Sequence, residues 1–144
     1  MGVERAWQGH GPALPSPSVK LLLDTHFLIW TVSNSPRAAH YRWMAKYHPW
    51  GVSPVSLLEI QLLTEVGKLT VGDKFVSTLA SDPRYVIDEP PLVALVDAAR
   101  DLAFTPDPFD RLIAAHSEVR RTPLCTVDQT LLEHHRYLPR ELRI

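Results

Sequence analysis

Short, wholly apolar runs alternate along the chain with longer segments whose apolar residues recur every three or four positions, and proline, glycine and serine clusters separate them. "VKLLLD" (19–24) is a continuous apolar run ending in an acid, which predicts a strand buried on both faces. "THFLIWTV" follows as a helix, stopped by the turn-rich "SNSP". After Pro36, "RAAHYRWMAKY" predicts a helix that ends before Pro49, and "WGVSP" a brief strand or extended link. From Ser53 or Ser56, either of which suits a helix N-cap, "VSLLEIQLLTEVGKL" predicts a helix closed near Gly67. "DKFVSTLASD" reads as a short helix, "RYVID" as a strand and "PLVALVDAARDLAF" as a helix opened by prolines. A further helix, "PFDRLIAAHSEVRR", precedes the apolar strand "PLCTVD" and a last helix, "QTLLEHH". Strands alternating with helices predict an α/β fold, a three-layer sandwich around a central, mainly parallel sheet. Such sheets hold ligands at the carboxyl ends of their strands.

Two of these strands end in aspartate, at Asp24 and Asp128. An acid there faces the crevice where such folds do chemistry, but it is equally placed to cap the next helix. Glu59 is more informative. Three, four and seven residues away lie Val55, Leu62, Leu63 and Val66, so the helical period puts its carboxylate on an apolar stripe. Glu65, with Gln61 and Lys68 as neighbours, marks a solvated face by contrast. A carboxylate aimed at a core costs several kcal/mol unless it is paired or bound to a cation, so Glu59 is either half of a buried salt bridge with arginine or part of a site. Asp110 repeats the pattern, with Ile113 and Ala114 on its face, whereas Asp107 precedes Pro108 and is placed to cap that helix.

Asp24, Glu59, Asp110 and Asp128 are then expected to converge at one end of the sheet. Like charges so close raise one another's pKa unless a cation neutralises them. Oxygen donors without cysteine select Mg²⁺ or Mn²⁺ over zinc. One or two such ions can activate water and hold a phosphodiester, so hydrolysis of a nucleic-acid backbone is the reaction class expected.

Composition adds limits. The 144 residues, 45% hydrophobic and 22% charged, suffice for one ordinary core. The Gly- and Pro-containing stretch 1–18 reads as a flexible leader and 19–144 as the folded domain. A net charge of −1 does not advertise a general nucleic-acid or membrane binder, although a local basic patch can sit inside a neutral total. Cys125 stands alone, which excludes an intrachain disulfide and fits a reducing, cytoplasmic setting. No apolar run reaches the ~18 residues of a membrane span, since Asp24 and His26 break "LLLDTHFLIW", and no signal-peptide stretch opens the chain. No P-loop, dinucleotide fingerprint, GxSxG elbow or HExxH helix occurs. A phosphoacceptor domain, which also gathers strand-end aspartates, normally needs a late lysine, and the last lysine here is Lys74.

In order along the chain, "LLLDTHFLIW", "SLLEIQLLTEVGKL", "DPFDRLIAAH" and "TVDQTLL" resemble the PIN-domain ribonucleases, specifically the VapC-like toxins of prokaryotic type II toxin–antitoxin modules. The resemblance covers about residues 20 to 135 and rests on four weak motifs in register. It implies a PIN-like fold, Asp24, Glu59, Asp110 and Asp128 as the Mg²⁺- or Mn²⁺-binding catalytic acids, an RNA substrate, a homodimer and a cognate antitoxin. Asp107 becomes an outer member of the set, and the Thr126 hydroxyl a support for it. The chain departs from the pattern at Leu58, where many relatives carry tryptophan, and at Gln129, where a basic residue is common. A silent interaction module or a housekeeping nuclease of the same fold are the competing functions.

Weaker candidates complete the reading. His26 and His116 flank the acids and could touch phosphate, while His134 and His135 are expected to complement the dipole of the last helix. Trp30, Trp43 and Trp50 could stack on bases, the Trp43 helix being the expected dimer surface, and Arg37, Arg42, Lys46 and Arg111 are the candidate phosphate contacts.

Overall fold

A computed structural model describes residues 19–143; the expected leader, 1–18, lies outside the described residues. Four strands, β1 (Leu21–Leu23), β2 (Trp50–Val52), β3 (Tyr85–Ile87) and β4 (Leu124–Cys125), form one sheet in the order β3-β2-β1-β4. Every pairing is parallel, with Leu22 opposite Gly51 on one side and Leu124 on the other. Six α-helices surround it: α1 (Thr25–Val32), α2 (Pro54–Glu65), α3 (Phe75–Ser81), α4 (Leu92–Ala99), α5 (Pro108–Arg120) and α6 (Gln129–His134). The expected α/β sandwich is therefore the observed one.

The continuous apolar run of β1 has the cause predicted for it. Leu21 and Leu23 enter a core with Phe27, Leu28, Met44, Trp50 and Ile60, whereas Leu22 faces the opposite core of Leu95, Ile113, Ala114 and Leu124. A strand with helices on both faces needs apolar residues at every position. Beside it, β2 carries Gly51 because a Cβ there would stand 2.5 Å from Val19 Cγ1.

Helix ends follow the caps. Ser53, not Ser56, caps α2 by accepting from Val55 N, and Gly67, at φ 77°, takes the left-handed turn beyond its C-terminus. The segment Pro36–Tyr47 departs from expectation: it is 3-10 rather than α, with a kink at Tyr41 (φ −125°, ψ 39°). Tyr41, Trp43, Met44 and Tyr47 of this segment pack against the core around that kink. The helix expected from the "PLVALVDAARDLAF" stretch stops at Ala99, whose carbonyl accepts from Arg111 Nε at 2.8 Å.

Candidate active site

At the carboxyl end of β1, Asp24 is 3% exposed and caps α1, its Oδ1 accepting from Phe27 N at 3.0 Å. Asp128 does the same after β4, capping α6 through Leu131 N at 2.9 Å. Capping engages one oxygen of each carboxylate and fixes where the other lies. The two are linked through Thr126, fully buried, whose Oγ1 accepts from Asp128 N at 3.0 Å and whose side chain also bonds the Asp24 carboxyl. Burial raises the Asp24 carboxyl above its ordinary range, against the opposing pull of Phe27 N, Thr126 and the nearby His26.

Asp107 caps α5, accepting from Phe109 N at 2.8 Å and Asp110 N at 3.1 Å, so Asp110 on the first turn is left to look toward the other acids. Its carboxyl is pushed up to about 7, first by burial and then by the charges of Asp107, Asp128, Glu59 and Asp24. The other three expected acids therefore lie within electrostatic reach of Asp110, as does Asp107. Among the described residues none of the four has an ion-pair partner, and the salt bridge offered for Glu59 does not form.

The apolar stripe expected around Glu59 is only partly buried. Leu62 and Val66 of its supposed core stripe are 40% and 66% exposed, and the buried side of α2 is Ser56 and Ile60. This helix is apolar nearly all round, so the helical period could not single out its inner face. Glu59 is half-buried at the border and is held by Thr25, whose Oγ1 donates to Glu59 Oε1 at 2.5 Å. Thr25 escaped the sequence reading; the only signal was a polar residue directly after Asp24 in an apolar run.

Other candidates separate clearly. His116 is 1% exposed and bonds Asp88 Oδ2 at 2.9 Å, so it belongs to the core and not to a phosphate site. Asp88, a third strand-end aspartate that the sequence reading passed over, also accepts from Arg120 Nε at 2.8 Å. Burial alone would raise this carboxyl, but His116 and Arg120 hold it below its ordinary value. His135 is buried against Ser117 Oγ and pushed down to about 4 by that burial, so it is neutral and cannot serve the helix dipole as expected; His134 is exposed beside Glu133. Trp50 is buried with Nε1 donating to Met44 O, which removes it as a stacking platform. Lys46 pairs with Glu141 at 2.5 Å, and Arg111 is taken by the end of α4.

The donor set, four carboxylates with threonine hydroxyls behind them, fits a hard divalent cation. Among the described residues no three Asp, Glu, His or Cys side chains are drawn together tightly enough to hold an ion as they stand. The difference is one of range: charge acts over several ångströms, while Mg²⁺ needs oxygens at about 2.1 Å. Carboxylates that repel one another stand at the longer distance.

No curated protein sequence matches the chain. Among solved structures, a toxin–antitoxin complex from Klebsiella pneumoniae shares the fold, with a TM-score of 0.61 at 16% identity, over 86% of this chain and 99% of that one. No described helix is long and apolar enough to cross a membrane. The PIN domain family model matches residues 21–136, the span that holds all four strands and all four acids, and the chain belongs to the PIN domain family.

Proposed function

We propose that this chain is a Mg²⁺- or Mn²⁺-dependent endoribonuclease acting in the cytoplasm as the toxin of a toxin–antitoxin pair. The observation that carries the reading is the Asp110 carboxyl, raised to about 7 by burial and by the charges of Asp107, Asp128, Glu59 and Asp24 around it. Acids so arranged, with no cationic side chain among the described residues paired to the four, call for a divalent ion to stay ionised together.

Asp24, Glu59, Asp110 and Asp128 would hold that ion. When bound, it supplies the positive charge that polarises a phosphodiester toward attack by water. The chain's own contribution is placement. Backbone amides of α1 and α6 fix Asp24 and Asp128, Thr126 ties the two together, and Thr25 orients Glu59 from α1. With its carboxyl pushed up to about 7, Asp110 is partly protonated near neutral pH, and a bound cation would favour its ionised form.

Family membership and a fold shared with a toxin–antitoxin complex support the toxin assignment. Acids acting on Asp110 at one end of the sheet suit inhibition by an antitoxin arginine or lysine, and a homodimer is the assembly that goes with the resemblance. The test is incubation of the purified protein with mixed cellular RNA and Mg²⁺ or Mn²⁺, then with chelator. Cleavage that stops on chelation is expected; cleavage indifferent to chelator, or none with any metal, rejects the enzyme reading. Growth arrest on expression, relieved by a small neighbouring gene product, separates a toxin from a housekeeping nuclease.

A further inference from the structure

From Thr25 to Leu58 the chain contains no aspartate or glutamate. Across the same 34 positions stand Arg37, Arg42 and Lys46, three of the seven histidines and three of the four tryptophans. Three of the 15 Lys and Arg residues thus lie in an acid-free stretch, leaving 12 against 16 acids elsewhere, so the net charge of −1 hides a strong partition. This stretch is bracketed by Asp24 on one side and Glu59 on the other.

The fold brings His26, Trp30 and Arg37 of this stretch together beside Asp24, while Trp50 is buried and Lys46 pairs with Glu141. His26 is exposed on the first turn of α1, close enough to Asp24 for its charge to be felt there, and its ring lies 6.2 Å from that of Trp30 one turn on. Trp30 is half-buried and stacks at 21° on Tyr41 of the 3-10 segment, while the Arg37 guanidinium lies over its ring at 5.7 Å. Arg42 is exposed further along the same segment. Elsewhere several arginines are matched with acids, Arg84 with Asp82, Arg100 with Asp97, Arg120 with Asp88 and Arg136 with Glu118, while Arg111 and Arg143 bond backbone carbonyls. Among the described residues Arg37 and Arg42 have no ion-pair partner.

We propose that this face is the entry lane for single-stranded RNA, with Arg37 and Arg42 on the phosphates and His26 and Trp30 against the bases, leading to the acids. Exposed cations interleaved with aromatic rings are what a single strand needs, because its unstacked bases can lie on a ring while guanidinium groups follow the backbone. A duplex keeps its bases stacked and gains nothing from the rings. The repulsive acids require such a lane, since a polyanion approaching them meets like charge until a cation neutralises it. The inference rests on the nuclease reading only in choosing RNA as the occupant.

The experiment measures binding apart from cleavage. A fluorescein-labelled single-stranded RNA of about ten nucleotides of mixed sequence is titrated with the full chain in chelator at several salt concentrations. Arg37→Ala/Arg42→Ala should weaken binding about tenfold or more and reduce the slope of log K against log salt by about 1.4, two phosphates at roughly 0.7 each. Arg100→Ala, which removes one exposed charge on α4, should bind as wild type. Trp30→Leu, scored per folded molecule, should weaken binding further, and duplex RNA should compete poorly. Wild-type affinity in the double arginine variant, an equal loss in Arg100→Ala, efficient competition by duplex, or no binding by wild type each overturns the lane. Metal-dependent cleavage by a double variant indistinguishable from wild type sinks the lane and leaves the nuclease standing; binding lost with Arg37 and Arg42 in a chain that never cleaves does the reverse.

Discussion

The Thr25 hydroxyl donates to Glu59 Oε1 at 2.5 Å, tying the first residue of α1 to the middle of α2. Because Asp24 caps α1 one residue earlier, two acids from distant parts of the chain are held by adjacent residues of one helix start. The positions of the acids are therefore coupled through the backbone of residues 24 and 25 and not through any cation among the described residues.

Thr25→Val should release Glu59 while keeping the buried shape. A hydrogen bond to a carboxylate contributes about 1.5 to 3 kcal/mol, but removing it here also lets Glu59 swing away from its repulsive neighbours, so the net loss of stability should be about 1 kcal/mol. Cleavage should fall at least tenfold and Mn²⁺ binding, followed by paramagnetic resonance, should weaken. Thr25→Ser should restore both. Equal loss in the serine and valine variants would assign Thr25 to packing alone.

Asp110→Asn should stabilise the metal-free protein at alkaline pH. With a folded pKa near 7 above the ordinary 3.8, this group holds more protons folded than unfolded between those values, so its contribution to stability is lost as pH rises from about 4 to 7. Solvent contact cuts the full linkage to on the order of 1 to 2 kcal/mol. In chelator, the variant should melt a few degrees above wild type at pH 8 and equal to it at pH 4, with cleavage abolished. Identical melting at both pH values would show that the acids do not repel one another appreciably.

Asp88→Ala should be a pure stability lesion. It takes the carboxylate from buried Arg120 and His116, and breaking one side of a buried pair costs about 3 to 5 kcal/mol. Because Asp88 is held below its ordinary pKa, its contribution is present above about 3.8 and is lost only as pH falls below that. Denaturant unfolding should show the full loss at pH 7, with cleavage per folded molecule unchanged. A selective loss of cleavage in a protein of normal stability would move Asp88 into the site.

What could be read in the chain was whatever depends on local pattern. The apolar run of β1, the Ser53 and Asp107 caps and the Gly67 stop follow from rules that act within a few residues. The Pro36–Tyr47 segment shows the limit: its composition suits an α-helix, but it is 3-10 with a kink at Tyr41 and packs Tyr41, Trp43, Met44 and Tyr47 against the core. In the candidate site the acids themselves were legible, at strand ends, at a helix start and, for Glu59, beside apolar residues that lie partly outside the core. Their partners were not. Thr25 is an ordinary threonine until α2 brings Glu59 to it, and Asp88 looks like another strand-end acid until α5 supplies His116 and Arg120. Hydrogen bonds between elements far apart in sequence leave no local trace.

His135 should set an acid limb on the stability of this protein. Ser117 donates its hydroxyl to Thr122 O at 2.5 Å, so at 2.9 Å it must accept from His135, which fixes the proton on Nε2 and leaves buried Nδ1 without a partner. Charging the ring means placing a proton on Nδ1 in an apolar surround, and that burial pushes its pKa down to about 4 from the ordinary 6.5. Between those values the unfolded chain binds more protons than the folded one, so stability is full above about 6.5 and is lost as pH falls toward 4, by about 3 kcal/mol at most. His135→Gln keeps a donor for Ser117 and has nothing to titrate. Its urea midpoint should therefore not decline from pH 6.5 to 4.5, and should rise as Asp110 takes up its proton, whereas that of wild type falls relative to it, even if the variant is about 1 kcal/mol weaker at pH 7. Parallel declines in the two proteins would place the acid limb on the carboxylates instead.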